Sequence, residues 1–336
     1  MNFENNKSYD EAQSEVFETK LGELSLKSAV ILSELDSLDK VLGSFGISDQ
    51  SKSSNHRVRV ALVAGQEAGL KGIFTERDLI LKGLIVKPEF YNSRGEIKLA
   101  EWMTSKIFTL RHDDTVSTAI KLMAIREFRH IPVDFGEGLP ISERYKILSI
   151  RDLLNFIVNF FPRDVKALGT KKSWNLLEAN FQEEGFSFCP KSHSLSGNIF
   201  YSPLRKAIYR DALRIDHNTS LHDTLIKMAK AKTGYAVITE FETIIKGIFT
   251  ESDIVEKVTL LKNFGELELK VKDFMTASPD TLLENHLISH AINNMFEFKY
   301  RRIIIVNEDN FPISIVSLLD ILKFISHALL TEGSSG

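Results

Sequence analysis

The chain has 336 residues, 43% hydrophobic and 26% charged, the balance of a globular protein able to bury cores without disulfides or metals. It is not that of a disordered, collagen-like or coiled-coil chain. A formal charge of -3 leaves no whole-molecule field favouring nucleic acid or an anionic membrane, and one cysteine, Cys189, allows no internal bridge and points to a reducing compartment, the cytoplasm.

Residues 1–19 open an acidic segment, with Glu4, Asp10, Glu11, Glu15, Glu18 and then Glu23 against Lys7 and Lys20, and lack the basic and apolar regions of a secretion signal. Leu38, Val41, Leu42 and Phe45 recur at helical spacing and predict one buried helix face. The β-branched run Val58 to Val63 predicts a strand, Gly72 to Thr75 a second, and Asp78 stands at the start of a following helix. The same order returns with the helix Val116/Ala119/Ile120/Met123, the strands His130 to Val133 and Ile147 to Ile150, and Ser149 three residues before Asp152. The apolar stretch Leu153 to Phe161, interrupted by Asn155 and Asn159, falls short of the roughly 20 residues of a bilayer-spanning helix and predicts a core helix.

Residues 163–201 form a linker whose Trp174, Phe181, Phe186 and Phe188 predict packing on a neighbouring module rather than a Gly/Ser tether. A third helix, Leu221/Thr224/Leu225/Met228, precedes strands Tyr235 to Thr239 and Gly247 to Thr250 and then Asp253. A fourth, Ile288/Ala291/Ile292/Met295, precedes Ile303 to Val306, Ile313 to Ser317 and Asp320.

The chain is therefore internally repeated. Gly72-Ile73-Phe74-Thr75-Glu76-Arg77-Asp78 returns as Gly247-Ile248-Phe249-Thr250-Glu251-Ser252-Asp253, and Trp102-Met103-Thr104 returns as Phe274-Met275-Thr276. Each half is itself double, giving four units at residues 20–88, 96–162, 202–262 and 268–330. Extra length in the first two falls in turn-rich Ser48 to Asn55 and Phe135 to Arg144, where insertions are cheap. Each unit reads as β-α-β-β-α, a mixed α/β (α+β) fold of about 60 residues with a sheet covered on one face.

The Met-Thr near the first strand and the Gly-apolar-apolar-Thr/Ser-x-x-Asp at the second helix resemble cystathionine-β-synthase (CBS) domains. The resemblance covers most of residues 20–328 and implies two tandem pairs, or Bateman modules, similar to stand-alone bacterial CBS proteins. It implies a non-enzymatic sensor that binds AMP, ADP, ATP or an adenosyl ligand in clefts between paired units, with magnesium as a companion of the phosphates and no required cofactor. By that resemblance Asp78, Asp152, Asp253 and Asp320 accept from ribose hydroxyls, and Thr75, Ser149, Thr250 and Ser317 approach phosphate, aided by helix N-terminal amides. The cationic candidates are Arg129, His130, Arg301 and Arg302 beside the middle strands and Arg77 and Arg151 after the Thr/Ser. Lys146 and Ser314, where Gly72 and Gly247 stand in the other units, are expected to crowd a ligand, and the first module is the expected binder. Homodimerisation through the modules and a further protein partner follow from the same resemblance.

Other readings stand beside these. Each Asp is also a helix cap, and the arginines are also strand-edge charges that deter sheet pairing. A ligand-free adaptor, or a regulatory subunit of an enzyme on a separate chain, fits the same units. Cys189 with His193 lacks a positioned base and oxyanion donors. His112-Asp113-Asp114 and Asp216-His217 precede helices capped by Thr115 or Thr219 rather than forming metal sites. Gly169 to Ser173 lacks the first glycine of a P-loop, and the excess of Lys and Arg between Arg163 and Arg214 reads as a solvated face.

Overall fold

The computed structural model describes residues 15–45, 60–65, 69–160 and 199–332. The aromatic linker residues, Cys189 and Ser48 to Asn55 lie outside the described residues. After a short strand β1 (Lys27–Ser28), unit 1 comprises β2 (Val30–Ser33), α1 (Leu38–Ser44), β3 (Val60–Ala64), β4 (Leu70–Thr75) and α2 (Glu76–Leu81). Unit 2 comprises β5 (Leu110–Arg111), α3 (Val116–Arg126), β6 (His130–Asp134), β7 (Tyr145–Ser149) and α4 (Ile150–Phe160). Unit 3 comprises β8 (Arg214–Asp216), α5 (Leu221–Lys230), β9 (Tyr235–Glu240), β10 (Ile244–Thr250) and α6 (Glu251–Glu256). After β11 (Thr276–Ala277), unit 4 comprises β12 (Thr281–Leu283), α7 (Ile288–Glu297), β13 (Arg302–Val306), β14 (Pro312–Ser317) and α8 (Leu318–Glu332).

In every unit the first strand runs parallel to the middle strand, which pairs antiparallel with the third. The register sets Thr75 opposite Val60, Ser149 opposite His130, Thr250 opposite Tyr235 and Ser317 opposite Arg302. The four Thr/Ser side chains thus sit at equivalent corners, each at the start of a helix. Ile150, expected at a strand end, instead opens α4. The cap of α5 is Ser220, which accepts from the Asp223 amide at 3.1 Å, rather than Thr219.

The sheets are covered on both faces, not one. Helices cover the first face, and on the other Val60 and Leu62 of unit 1 meet Tyr145 and Ile147 of unit 2, as Val237 and Ile248 of unit 3 meet Ile304 and Ile315 of unit 4. Double coverage explains why the middle strands are continuous apolar runs instead of alternating ones.

The leading segments are exchanged within each module. β1 lies ahead of the first sheet strand of unit 1 but extends the sheet of unit 2 by pairing with β7, and Thr104 lies ahead of the first strand of unit 2 but bridges Ile73 of unit 1. β11 likewise joins β10 of unit 3, and Asp211 bridges Ser314 of unit 4. The helices then join the modules: one core runs through units 2 and 4, another through units 1 and 3. Among the described residues no helix is long and apolar enough to cross a membrane.

Candidate functional site

In units 1, 3 and 4 the motif Asp closes a capping box on its own helix, and in unit 2 Asp152 bonds the capping hydroxyl of Ser149. Asp78 Oδ2 accepts from the Thr75 amide at 2.8 Å and the Thr75 hydroxyl at 2.9 Å, and Asp253 Oδ2 accepts from Thr250 at 2.9 and 2.8 Å. Asp152 accepts from the Ser149 hydroxyl at 2.5 Å, and Asp320 from that of Ser317 at 2.6 Å. The capping reading therefore holds in all four units. In the odd units the second carboxylate oxygen is also used: Asp78 Oδ1 accepts from Thr104 at 2.9 Å beside Lys82 at 3.2 Å, and Asp253 Oδ1 from Thr276 at 3.0 Å and Lys257 at 2.8 Å. The Thr of each Met-Thr pair is tied to the motif Asp of the preceding unit. In unit 2, Lys27 of the exchanged segment reaches Asp152 at 3.1 Å.

The repeated glycines serve this exchange. A Cβ on Gly72 would lie 2.3 Å from Met103 Sδ, and one on Gly247 2.4 Å from Met275 Sδ. Their lack of a side chain admits the methionine of the Met-Thr pair rather than a ligand. Where that position is Ser314, its hydroxyl donates to the Arg210 carbonyl at 2.7 Å, and Lys146 pairs in register with Ser28 of β1. The expected crowding is thus contact with the exchanged strand.

A cavity of about 300 Å³ opens between the two units of the first module. Its apolar lining is Leu81, Ile107, Phe108 and Phe128; the Phe108 and Phe128 rings lie 5.5 Å apart, and the Arg126 guanidinium covers Phe108 at 4.8 Å. Thr75, Asp78 and Thr104 also line it, as do Arg77, Arg129 and His130, with Arg301 and Glu251 from the second module. The backbone sets the arginine positions. The amide that opens α4 donates to the Arg129 carbonyl at 2.9 Å, and the one that opens α8 to the Arg301 carbonyl at 3.2 Å, so both arginines leave the chain beside a helix N-terminus.

The cationic candidates are neither strand-edge charges nor free. Glu251 Oε2 accepts from both Arg129 and Arg302, with the Glu251 side chain 4% exposed. Burial pushes the Glu251 pKa up, but Arg129, Arg302 and Arg77 pull it down more strongly, to about 2. Across the same boundary Arg301 stands 4.0 Å from Glu76. Odd units thus supply the glutamate and even units the arginine, and the Arg129–Glu251 and Arg301–Glu76 pairs join opposite modules. Arg302 also lies over the Tyr235 ring at 5.1 Å. His130 is held neutral, its pKa lowered to about 3 by burial and then by Arg301 and Arg129.

Six of the residues singled out from the sequence meet in this cavity: Thr75, Arg77, Asp78, Arg129, His130 and Arg301. Ser317 and Asp320 line a separate crevice of only about 10 Å³ with Arg77, Arg129 and Arg210. Arg151 turns away from the cavity and donates to the Met295 carbonyl at 3.3 Å and the Tyr300 carbonyl at 2.8 Å, binding unit 2 to unit 4. Ser149, Asp152, Thr250, Asp253 and Arg302 lie outside both spaces. Sequence reasoning missed Glu76, Glu251, Thr104, Phe108 and Phe128. The repeated Thr-Glu-x-Asp offered a signal for the glutamates, whereas Phe108 and Phe128 become Asp280 and Tyr300 in the second module and left no repeated pattern.

Comparison with known proteins agrees with this architecture. The CBS domain family model matches residues 99–159, 206–259 and 271–327. The CBS domain-containing protein CBSCBSPB1 of Arabidopsis thaliana is 21% identical over 305 residues, covering 84% of this chain and 50% of that protein. A Haemophilus influenzae protein assigned as an arabinose 5-phosphate isomerase is 30% identical over 151 residues, 45% of this chain and 44% of its own length. The chain thus spans about half the length of the curated relatives it matches. Among solved structures, a Methanocaldococcus jannaschii protein proposed as an archaeal homolog of γ-AMPK superposes with a TM-score of 0.65 at 15% identity, over 91% of this chain and 99% of its own. Unit 1 falls outside the matched residues, yet it repeats the strand order, the capping box and the exchanged Met-Thr contact of unit 3. With half the sequence matched and all four units built alike, the chain belongs to the CBS domain family and carries four such units in two Bateman modules.

Proposed function

We propose that this chain is a regulatory protein that binds an adenosine-containing ligand bearing phosphate in the first-module cleft and passes its occupancy to a partner through the packing of the two modules. The observation that carries the reading is the set of chemistries gathered in one cavity: aromatic rings at Phe108 and Phe128, the Asp78 carboxylate, and the donors Arg77, Arg129, His130 and Arg301. A purine base stacks on rings, ribose hydroxyls donate to a carboxylate, and phosphate oxygens accept from guanidinium and imidazole. AMP, ADP and ATP, with magnesium on the longer phosphates, are the ligands this set fits, and no residue of the cleft is assigned a catalytic role. The similarity to a protein proposed as an archaeal homolog of γ-AMPK supports a sensor role. The expected setting is the cytoplasm.

A second reading, a ligand-free adaptor, is favoured by the internal satisfaction of every motif Asp. Thermal unfolding of the full chain with AMP, ADP, ATP and S-adenosylmethionine separates the two, since a native-state ligand at a hundredfold excess over its Kd stabilises by about 2.7 kcal/mol. A rise in Tm with adenylates that Asp78→Ala removes supports the sensor. No rise at millimolar concentration of any of them leaves the adaptor.

A further inference from the structure

Glu251 belongs to unit 3, yet it lines the first-module cleft and holds Arg129, a guanidinium of the same lining. Its place is built for it. A Cβ on Gly234 would lie 1.8 Å from Glu251 Oε1, so the carboxylate lies against backbone where another unit carries Arg129 itself. Oε2 takes both Arg129 and Arg302, while Oε1, buried, has no hydrogen-bond partner among the described residues. The equivalent pair, Glu76 and Arg301, is looser at 4.0 Å.

We infer that Glu251 is an internal anion seated on Arg129 in the cleft, and that it tunes ligand specificity by competing with ligand phosphate for that guanidinium, holding the affinity for phosphorylated ligands down while leaving that for an uncharged nucleoside unaffected. This inference rests on the adenosine-phosphate reading of the same cleft. A carboxylate and a phosphate oxygen are interchangeable partners for a guanidinium, but the carboxylate offers one negative charge and a phosphate monoester nearly two. A phosphorylated ligand therefore displaces Glu251 from Arg129, whereas an uncharged nucleoside has nothing to exchange for it. Displacement leaves no stranded charge, because Arg302 retains Glu251 from within its own module, and an unpaired buried carboxylate is what would otherwise forbid the exchange. The same event undoes an ion pair that joins the modules, so phosphate binding and module packing oppose one another at a single residue.

The test is calorimetric titration of the full chain, of Glu251→Gln and of Gly234→Ala, each with AMP, adenosine and inorganic pyrophosphate. Glu251→Gln removes the competing charge, and Gly234→Ala keeps the charge but displaces the carboxylate. Both variants are expected to bind AMP and pyrophosphate about tenfold tighter with adenosine unchanged, and where one variant does not fold the other decides. An AMP-to-adenosine affinity ratio that is unchanged or lower in the variants overturns the inference while leaving the nucleotide reading intact. Tighter pyrophosphate with no binding of AMP or adenosine to any chain overturns the nucleoside reading and keeps Glu251 as the internal anion. Absence of binding by every compound to every chain overturns both.

Discussion

Arg129 and Glu251 stand 122 residues apart in sequence and meet across the boundary between the two modules. Their side chains are 21% and 4% exposed, and the attraction of the arginines outweighs the desolvation of the carboxylate. Removing the carboxylate, which Arg302 shares, is then costlier than removing Arg129. Arg129→Met leaves Glu251 paired with Arg302 and is expected to cost about 1 kcal/mol, whereas Glu251→Leu strands Arg129 and Arg302 together and is expected to destabilise the chain by about 3 kcal/mol, part of which adding Arg129→Met recovers. Denaturant unfolding of the two singles and the double checks this; equal and additive losses would show that the residues are not coupled.

Gly72 and Gly247 occupy equivalent positions but should differ in tolerance. At Gly72 the three atoms nearest a new Cβ all belong to the Met103 side chain, at 2.3, 2.8 and 3.2 Å, whereas at Gly247 they include the Thr276 carbonyl oxygen at 2.7 Å. A methionine can move, but that oxygen belongs to β11, paired with β10. Gly72→Ala is expected to cost about 1 kcal/mol and to be relieved by Met103→Ala; Gly247→Ala is expected to cost about 3 kcal/mol and not to be relieved by Met275→Ala. Thermal unfolding of the four variants measures the difference.

Stability is expected to fall as pH falls. His130 has a pKa of about 3 in the folded chain against 6.5 for the ordinary group, so the unfolded chain takes up its proton first. Its contribution is fully present above pH 6.5 and is lost as pH falls toward 3, with a slope of at most about 1.4 kcal/mol per pH unit for that one proton. His290, lowered to about 4 by burial and then by His286, acts in the same direction. Glu251, with a pKa of about 2 against 4.5, adds a further loss below pH 4.5. His130→Gln should flatten the upper part of the profile between pH 6.5 and 4.5, read by denaturant midpoints at closely spaced pH values.

The repeat made the unit order, the helix faces and the capping Asp residues legible, because helical spacing and the Thr-Glu-x-Asp motif are local and recur. What a unit does with its neighbours is non-local and was not legible. Gly72 reads in isolation as room for a ligand, but its partner is Met103, which arrives from the exchanged segment. Arg129 and Arg301 read as phosphate ligands from their place beside the strand. Their carboxylate partners lie in the opposite module, where no sequence spacing could pair them. Arg151 shows the same limit: its sequence neighbours place it at the cleft, yet carbonyls of unit 4 draw it to the module boundary.

The two modules differ at the positions of the two rings that line the first-module cavity. Phe108 and Phe128 line the first, whereas the matching residues of the second are Asp280 and Tyr300, joined by a 2.9 Å hydrogen bond from the tyrosine hydroxyl. A purine gains stacking from the first set and meets a carboxylate in the second. Base–aromatic stacking contributes about 1–3 kcal/mol per base, so Phe128→Ala is expected to weaken AMP binding by about tenfold, and Phe108→Asp, which copies the second module, by at least as much. Pyrophosphate binding should be unchanged in both, because neither substitution touches Arg129 or Arg77. Parallel titrations with AMP and pyrophosphate decide it: equal weakening of the two would mean that the rings support the cavity wall and do not hold a base.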